Sequence, residues 1–391
     1  MTSPRSAAGI AERRGLLVAF SVFGSFWGAW AALLPAVRET TGVDDSQLGL
    51  ALAAIAVSAL PAMLVAGPRL DRAGPRVLRF ALVAFALVVP LPSLAGGLGT
   101  LVLSVVGLGV TTGILDVVVN ATTAGWERAE GNRLMAGCHG VFSLGVLLGS
   151  IATGLARDAG AGPGLVLPVV SLLVLVAAAL QPAYRREARA ERPAGGMGLP
   201  PVLFAVGALV AAAFLVEDGL TTWSALQLER GLHAPPWVSG LGPGLFSASM
   251  AVGRLATQLF ESSVGQAARR DGAVLAFGGL GVAAGALLLA FASGPVLGLV
   301  GLALAGAGTS VLAPTLLSAV GERSAPGRQG ADLAHVTMLG YAGFVTGPPA
   351  VGLISGATSL PVALGLLSVV GVVLAVGGPL ALRPRRVAVP A

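Results

Sequence analysis

The chain has 391 residues, of which 55% are hydrophobic and only 11% charged. A soluble domain carries about 25% charged residues, so a water-covered surface is excluded and the outside of this protein must face lipid. The formal net charge of +6 invites a nucleic-acid reading, which the placement of the arginines removes below.

The basic side chains are all arginine; there is no lysine. One cysteine, Cys138, rules out an intramolecular disulfide and a cysteine metal cluster. His139, His233 and His335 lie far apart in the chain, so no metal site is expected. Nor is a cofactor: there is no Walker loop, no Ser-His-Asp set and no zinc pattern.

Arg5, Arg13 and Arg14 precede an apolar stretch that runs to about Val37, too long for a signal peptide and interrupted by two tryptophans and a proline. It reads as the first of twelve spans, each of about 20 mostly apolar residues. The spans are expected at 16–37, 47–67, 78–95, 100–122, 138–156, 164–182, 201–224, 238–259, 273–292, 296–319, 334–356 and 360–381.

In chain order, span one carries Trp27 and Trp30, three residues apart on one face. They are candidate stacking walls for a ring or sugar, or members of an interfacial aromatic belt. After span two comes Gly67-Pro-Arg-Leu-Asp71-Arg72-Ala-Gly74-Pro-Arg76. Gly67 permits close helix approach and Gly74 a tight turn. Asp71 can accept from helix amides or pair with an arginine, making a latch; the alternative is a plain basic loop. Span four holds Asp116, with Asn120 one turn further on the same face. An acid at the membrane centre costs about 2.5–3.5 kcal/mol, so Asp116 is a candidate substrate contact and proton carrier; a structural hydrogen bond is the other reading. Trp126 reads as a belt residue and Glu127-Arg128 follows it. His139 opens span five, as a gate or proton-relay candidate or a satisfied helix-end histidine.

Residues 183–200 form the longest polar stretch, a linker between units 1–182 and 201–391. Span seven carries Glu217, Asp218 and Trp223. Adjacent helical residues point about 100° apart, so one acid is expected to line a cavity and the other to cap or pair. Both are proton-carrier candidates, and Trp223 is a candidate substrate wall related to Trp30 by a repeat. Arg254, near the end of span eight, is placed with the gating residues as a helix anchor. The stretch from Gly253 to Gly265 repeats the glycine frame of the first loop, with Ser262-Ser263 where Asp-Arg would stand. Span eleven contains Gly340-Tyr341-Ala-Gly343-Phe344-Val-Thr-Gly347-Pro348-Pro349, with Tyr341 a candidate substrate contact.

With the N-terminus placed in the cytoplasm, twenty arginines from Arg5 to Arg386 fall on that side and only Arg38, Arg157 and Arg230 on the other. This obeys the positive-inside rule, explains the net charge, and puts both termini inside. The halves repeat: Trp30-Ala-Ala-Leu with Trp223-Ser-Ala-Leu, Glu127-Arg128 with Glu322-Arg323, and His139 with His335. Two six-span halves are the layout of a secondary transporter with its site between them.

The loop Gly67 to Arg76 resembles the signature Gly-x-x-x-Asp-Arg-x-Gly-x-Arg of the major facilitator superfamily. Within it, Gly113-Ile-Leu-Asp116-Val-Val-Val-Asn120-Ala, Glu127-Arg128 and Leu134-Met135-Ala-Gly-Cys-His139-Gly-Val-Phe142-Ser143-Leu-Gly145 resemble the bacterial MosC-like group. The resemblance implies an all-helical bundle in the inner membrane and transport of a small polar metabolite of a sugar-like kind. Drug–proton antiporters of the superfamily usually carry Gly-x-x-x-Gly-Pro in span five; here Gly145 and Gly149 are followed by Ser150, and the run stands in span eleven. The expected function is proton-coupled, alternating-access transport by a monomer whose partners are a small solute, protons and lipid. An exporter of drugs or secondary metabolites is the alternative, and a solute sensor a more distant one.

Overall fold

The computed structural model describes residues 7–70, 74–184, 200–264, 271–325 and 328–382. Among them, twelve helices carry the chain back and forth: α1 (Ala7–Thr41), α2 (Asp45–Leu70), α3 (Val77–Val88), α4 (Leu98–Glu130), α5 (Met135–Asp158), α6 (Pro163–Ala179), α7 (Pro201–Leu226), α8 (Leu241–Val264), α9 (Asp271–Phe291), α10 (Pro295–Arg323), α11 (Gln329–Ala357) and α12 (Leu360–Ala381). Most of the expected spans match to within a few residues, with helix ends that run on past the apolar stretch. The exception in register is span eight. Pro235 and Pro236 start a separate short turn, Pro236–Ser239, so the long helix begins at Leu241.

Nine helices among the described residues are long and apolar enough to cross a membrane, and α6, of 17 residues, is apolar but shorter. The other two, α8 and α11, are diluted by glycine, proline and polar residues. Both of them pack across the seam between the halves, against α2 and α5.

Helix ends follow local chemistry. Proline occupies the first turn of α6, α7, α10 and α12, where its missing N–H costs nothing. Gly131 ends α4 with φ 63°, a left-handed conformation that a side chain would strain. The Glu127 carboxylate accepts from the amides of Leu134 and Met135 (2.7 Å for the latter), closing the start of α5. Its repeat partner segment does a related job: Arg323 donates to the Leu382 carbonyl at 2.8 Å, at the end of α12.

The first six helices form one bundle and the last six another, with matching pairings. In the first, α1 packs on α5 and α6, α2 on α4, and α3 on α4 and α6. In the second, α7 packs on α11 and α12, α8 on α10, and α9 on α10 and α12. Small residues make these pairs close, because lipid supplies no hydrophobic drive between helices. Gly24 and Gly28 of α1 sit against the carbonyls of Phe142 and Val146, and Gly145 and Gly149 of α5 against those of Ser21 and Ser25. Gly343 of α11 faces the Ala211 carbonyl in the same way. Trp126 is not in an interfacial belt: it is 5% exposed and its indole N–H donates to the Gly9 carbonyl at 3.1 Å.

Between the bundles, α2 meets α11 and α5 meets α8, a pair of contacts that the repeat interchanges. These contacts gather at one end. Gly49 lies against Pro348 and Gly352, Gly154 against Gly240, and Ser150 donates to the Gly240 carbonyl. The three arginines that stand apart in the charge pattern all pair here. Arg157 grips Glu229 of the other half with two bonds of 2.8 Å, and Ser239 adds a third donor to the same carboxylate. Asp45 accepts from Arg38 at 2.7 Å and from Ser355 of the other half at 2.6 Å, with Arg230 at 3.7 Å. At the other end, side chains at Gly67, Gly137 or Gly140 would meet nothing within 4 Å.

The expected latch therefore lies at the open end. Gly67 makes no close approach here, and Gly74 begins a turn closed by the Val77 amide at 3.1 Å without a positive φ. Arg76 is exposed at the start of α3. Asp71 and Arg72 lie outside the described residues, as does most of the linker 183–200.

Two measurements follow. Gly28→Ala forces a methyl against the Val146 carbonyl and is expected to cost about 1–3 kcal/mol. The melting temperature of the purified protein should fall by several degrees, while Gly67→Ala leaves it in place. Arg157, with a side chain 6% exposed, holds a half-buried carboxylate, so Arg157→Gln should remove about 1.5–3 kcal/mol from the sealed end. Spin labels at Asp158→Cys and Ser359→Cys in a Cys138→Ser background should then show a longer distance population. An unchanged distribution would mean that the pair adds nothing to the seal.

Candidate functional site

The helices diverge from the sealed end around a cavity of about 470 Å³. Its walls come from α1, α2, α4 and α5 of the first bundle and from α7, α8 and α11 of the second. Within lipid-facing helices this is the one kind of place where polar groups are cheap, because water and partners can reach them.

The first bundle supplies an aromatic wall. Phe23, Trp27 and Phe142 line the cavity, with Phe23 edge-on to Phe142 at 5.7 Å and tilted on Trp27 at 6.4 Å. Trp30 also lines it, only 3% exposed and stacked on Phe26 at 6.3 Å. The second bundle answers with Tyr341 and Phe344, the latter stacked on Phe214 at 4.4 Å. Trp27, Trp30 and Tyr341 are thus brought to one place.

Trp223 is not. It is 1% exposed and packed in the core of its own bundle, and its Nε1 has no hydrogen-bond partner among the described residues. The reason is helix rotation. Along α7 the cavity face carries Glu217, Asp218, Thr221 and Thr222, at spacings of one and four. Leu220, Trp223 and Ser224 occupy the buried face between α7 and its neighbours. A repeat in sequence therefore does not carry over to equal exposure.

The same stripe corrects the expectation for the two acids. Glu217 and Asp218 both line the cavity, since an angle of about 100° still leaves both side chains on a broad concave wall. The helix runs unbroken from Pro201 to Leu226 and widens to a π-helical turn only at Gln227–Gly231. Asp218 accepts from the Thr222 hydroxyl at 3.2 Å. Glu217 faces Arg254 of α8 at 4.0 Å.

Arg254 is the group whose role changes most between sequence and structure. Instead of anchoring a helix end, it lines the cavity, with its terminal nitrogen 3.4 Å from the Met250 sulfur and its Nε buried without a partner. It stands within electrostatic reach of His139 on the opposite bundle. His139 itself is exposed to the cavity mouth and edge-on to Phe20 at 5.3 Å. Its repeat partner His335 bonds its own helix, 2.7 Å from the Ala331 carbonyl. Of the arginines only Arg79, at the very start of span three, and Arg254, five residues inside the end of span eight, fall within the expected spans, and the depth of Arg254 was the signal available in the sequence.

Across from α7, Asp116 of α4 lines the cavity and accepts from the Asn120 amide at 3.1 Å. Asn120 is not a wall residue; it holds the carboxylate from one turn behind. One turn ahead, Thr112 lines the cavity with its hydroxyl buried and unpartnered, a residue that sequence reasoning passed over. Tyr341 lies within electrostatic reach of Asp116. The arrangement places carboxylates from both bundles, one arginine and one histidine around a single aqueous space. It can hold a small solute and exchange protons with it. Among the described residues no group of three metal-ligating side chains forms a metal site.

Comparison with known proteins fits this geometry. The profile of the Major Facilitator Superfamily matches residues 15–270. An uncharacterized MFS-type transporter of Yersinia pestis is 30% identical over 366 residues, covering 92% of this chain and 93% of that protein. Membrane protein MosC of Rhizobium meliloti is 29% identical over 363 residues, covering 92% and 88%. In three dimensions the chain is similar to a bacterial homolog of the human lysosomal transporter Spinster in an inward-facing, occupied conformation, with a TM-score of 0.76, 14% identity and 97% of each chain covered. The chain belongs to the Major Facilitator Superfamily and is a multi-pass membrane transporter, not an enzyme.

Proposed function

We propose that this protein moves a small organic solute across the membrane by alternating access, coupled to protons. One observation carries the reading: a cavity on the seam between two bundles, sealed at one end and open at the other, lined by ionisable groups from both. A carboxylate at the membrane centre costs about 2.5–3.5 kcal/mol, and this cavity holds three. Such a cost is sustained where the group has work to do.

The open end is the cytoplasmic one in this proposal. The arginine asymmetry supports it, and so does the likeness to an inward-facing structure. Both termini then lie inside. In the opposite state the seal of Gly49, Gly154 and the Arg157–Glu229 pair parts, and the loop from Gly67 to Arg76 comes together with the second bundle as the latch. Asp116 is the primary proton carrier, with Glu217 and Asp218 as its counterparts and His139 at the mouth. Protonation neutralises a carboxylate and lowers the cost of burying it, which biases the populations of the two states. A single chain supplies both walls, which supports a monomer as the working unit.

The test is an external pH electrode on de-energised, lightly buffered cells that express the protein, challenged with sugars, inositol-like compounds and amines. One solute should shift the pH of the medium, upward for symport and downward for exchange, and Asp116→Asn should abolish the signal while the protein still reaches the membrane. Wild-type flux in that variant would remove the coupling role from Asp116.

A further inference from the structure

We infer that the solute is a protonated amine with an aromatic or apolar body, its ammonium group taken up by the carboxylates that line the cavity, Asp116 on one wall and Asp218 on the other. This rests on the reading of the cavity as the transport site, and concerns what that site selects.

The charges come first. The lining contains Asp116, Glu217 and Asp218 against Arg254 and His139. Arg254 lies 4.0 Å from Glu217 and 3.4 Å from the Met250 sulfur. Asp116 and Asp218 receive only neutral donors, each from one turn along its own helix: the Asn120 amide at 3.1 Å and the Thr222 hydroxyl at 3.2 Å. A carboxylate pair of oxygens has about four acceptor positions, so both retain capacity toward the cavity. A cation there supplies the missing countercharge, and an anion is repelled.

The donors of that cation are specified by Thr112. Thr112 is 8% exposed and lines the cavity, and its hydroxyl is buried without a hydrogen-bond partner among the described residues. It stands one helical turn from Asp116 on the same face. An ammonium N–H directed at each of these groups satisfies both; a quaternary ammonium has no N–H to give.

The body of the solute is specified by the walls. Phe23, Trp27 and Phe142 face it from one bundle, Tyr341 and Phe344 from the other. Aromatic faces attract a cation and stack on a ring. Among the described residues of the lining there is no Asn or Gln. The neutral polar groups of the lining are hydroxyls, on Thr112, Ser143, Thr221, Thr222, Ser247 and Tyr341, and it is the excess of carboxylates over cations that sets an amine ahead of the sugar-like expectation.

The experiment titrates the full-length protein in lipid nanodiscs, read by tryptophan fluorescence, because Trp27 and Trp30 line the cavity. The probes are 2-phenylethylamine, 2-phenylethanol, 3-phenylpropanoate, benzyltrimethylammonium and myo-inositol. The amine should bind at least about tenfold tighter than the alcohol of the same skeleton, and the anion and inositol more weakly still. Lowering the pH from about 8 to about 5 should weaken amine binding, since the amine keeps its proton while protons occupy the carboxylates. The titratable and charged groups that face these carboxylates are Glu217 on α7, Arg254 on α8, His139 on α5 and Tyr341 on α11. Asp218→Asn should lose about tenfold and Asp218→Glu recover part of it. Thr112→Val should weaken the primary amine and leave benzyltrimethylammonium unchanged.

Equal affinity for amine and alcohol, or preference for inositol, overturns the inference. Binding does not require turnover, so the two readings fail separately. An amine that binds but moves no protons sinks the transport proposal and leaves this one. A polyol that drives proton flux, without discrimination for the amine, does the reverse.

Discussion

A backbone amide inside a bilayer has no water to bond, and an apolar side chain gains nothing there by leaving its neighbours for another helix. Both facts shape this molecule. Every described span is a helix, and its outward faces carry large apolar side chains in the open: Leu103 is 74% exposed and Phe277 76%. In water such a surface would aggregate; in lipid it is the solvated side. What holds the helices together is then close approach, supplied by pairs such as Gly28 against the Val146 carbonyl and Gly145 against the Ser21 carbonyl.

The same constraint concentrates polarity on the seam. Asp116, Glu217, Asp218 and Arg254 come from three different helices of two bundles, yet all line one cavity. The seal beyond them is of a different kind from the packing within each bundle. It consists of glycine contacts on α2, α5, α8 and α11 and a few charge-assisted bonds around Asp45 and Glu229. Bonds of that sort can be exchanged for water, whereas the interlocked pairs α1 with α5 and α7 with α11 rest on close packing that water cannot replace. A seam that opens without loosening either bundle is the physical condition for rigid-body movement.

Much of this was legible along the chain. Composition excluded a soluble fold, hydropathy placed the spans, and the glycine-rich loop pattern led to the superfamily. Asp116, Glu217 and Asp218 were identifiable because a carboxylate in an apolar run demands a reason. Other residues were misplaced. Trp126 and Trp223 looked like belt and wall and are core. Arg254 looked like an anchor and lines the cavity. Thr112 and Glu229 carried no signal, since threonine and loop-end charges are common where nothing depends on them.

The division has a physical cause. Whether a segment crosses the membrane depends on the sum of its residues' transfer energies, a property of the local sequence that no neighbour can alter much. The number of spans, their positions and the presence of costly acids therefore follow from the sequence by itself. Which face of a span meets the cavity depends on how each helix is rotated against its partners. In helices apolar on nearly all sides, only short polar runs such as Glu217 to Thr222 hint at that rotation. Only the packing of Gly28, Gly49, Gly343 and their opposite carbonyls sets it, and with it the tertiary structure decided that Asp218 faces the solute space while Trp223, five residues on, is buried.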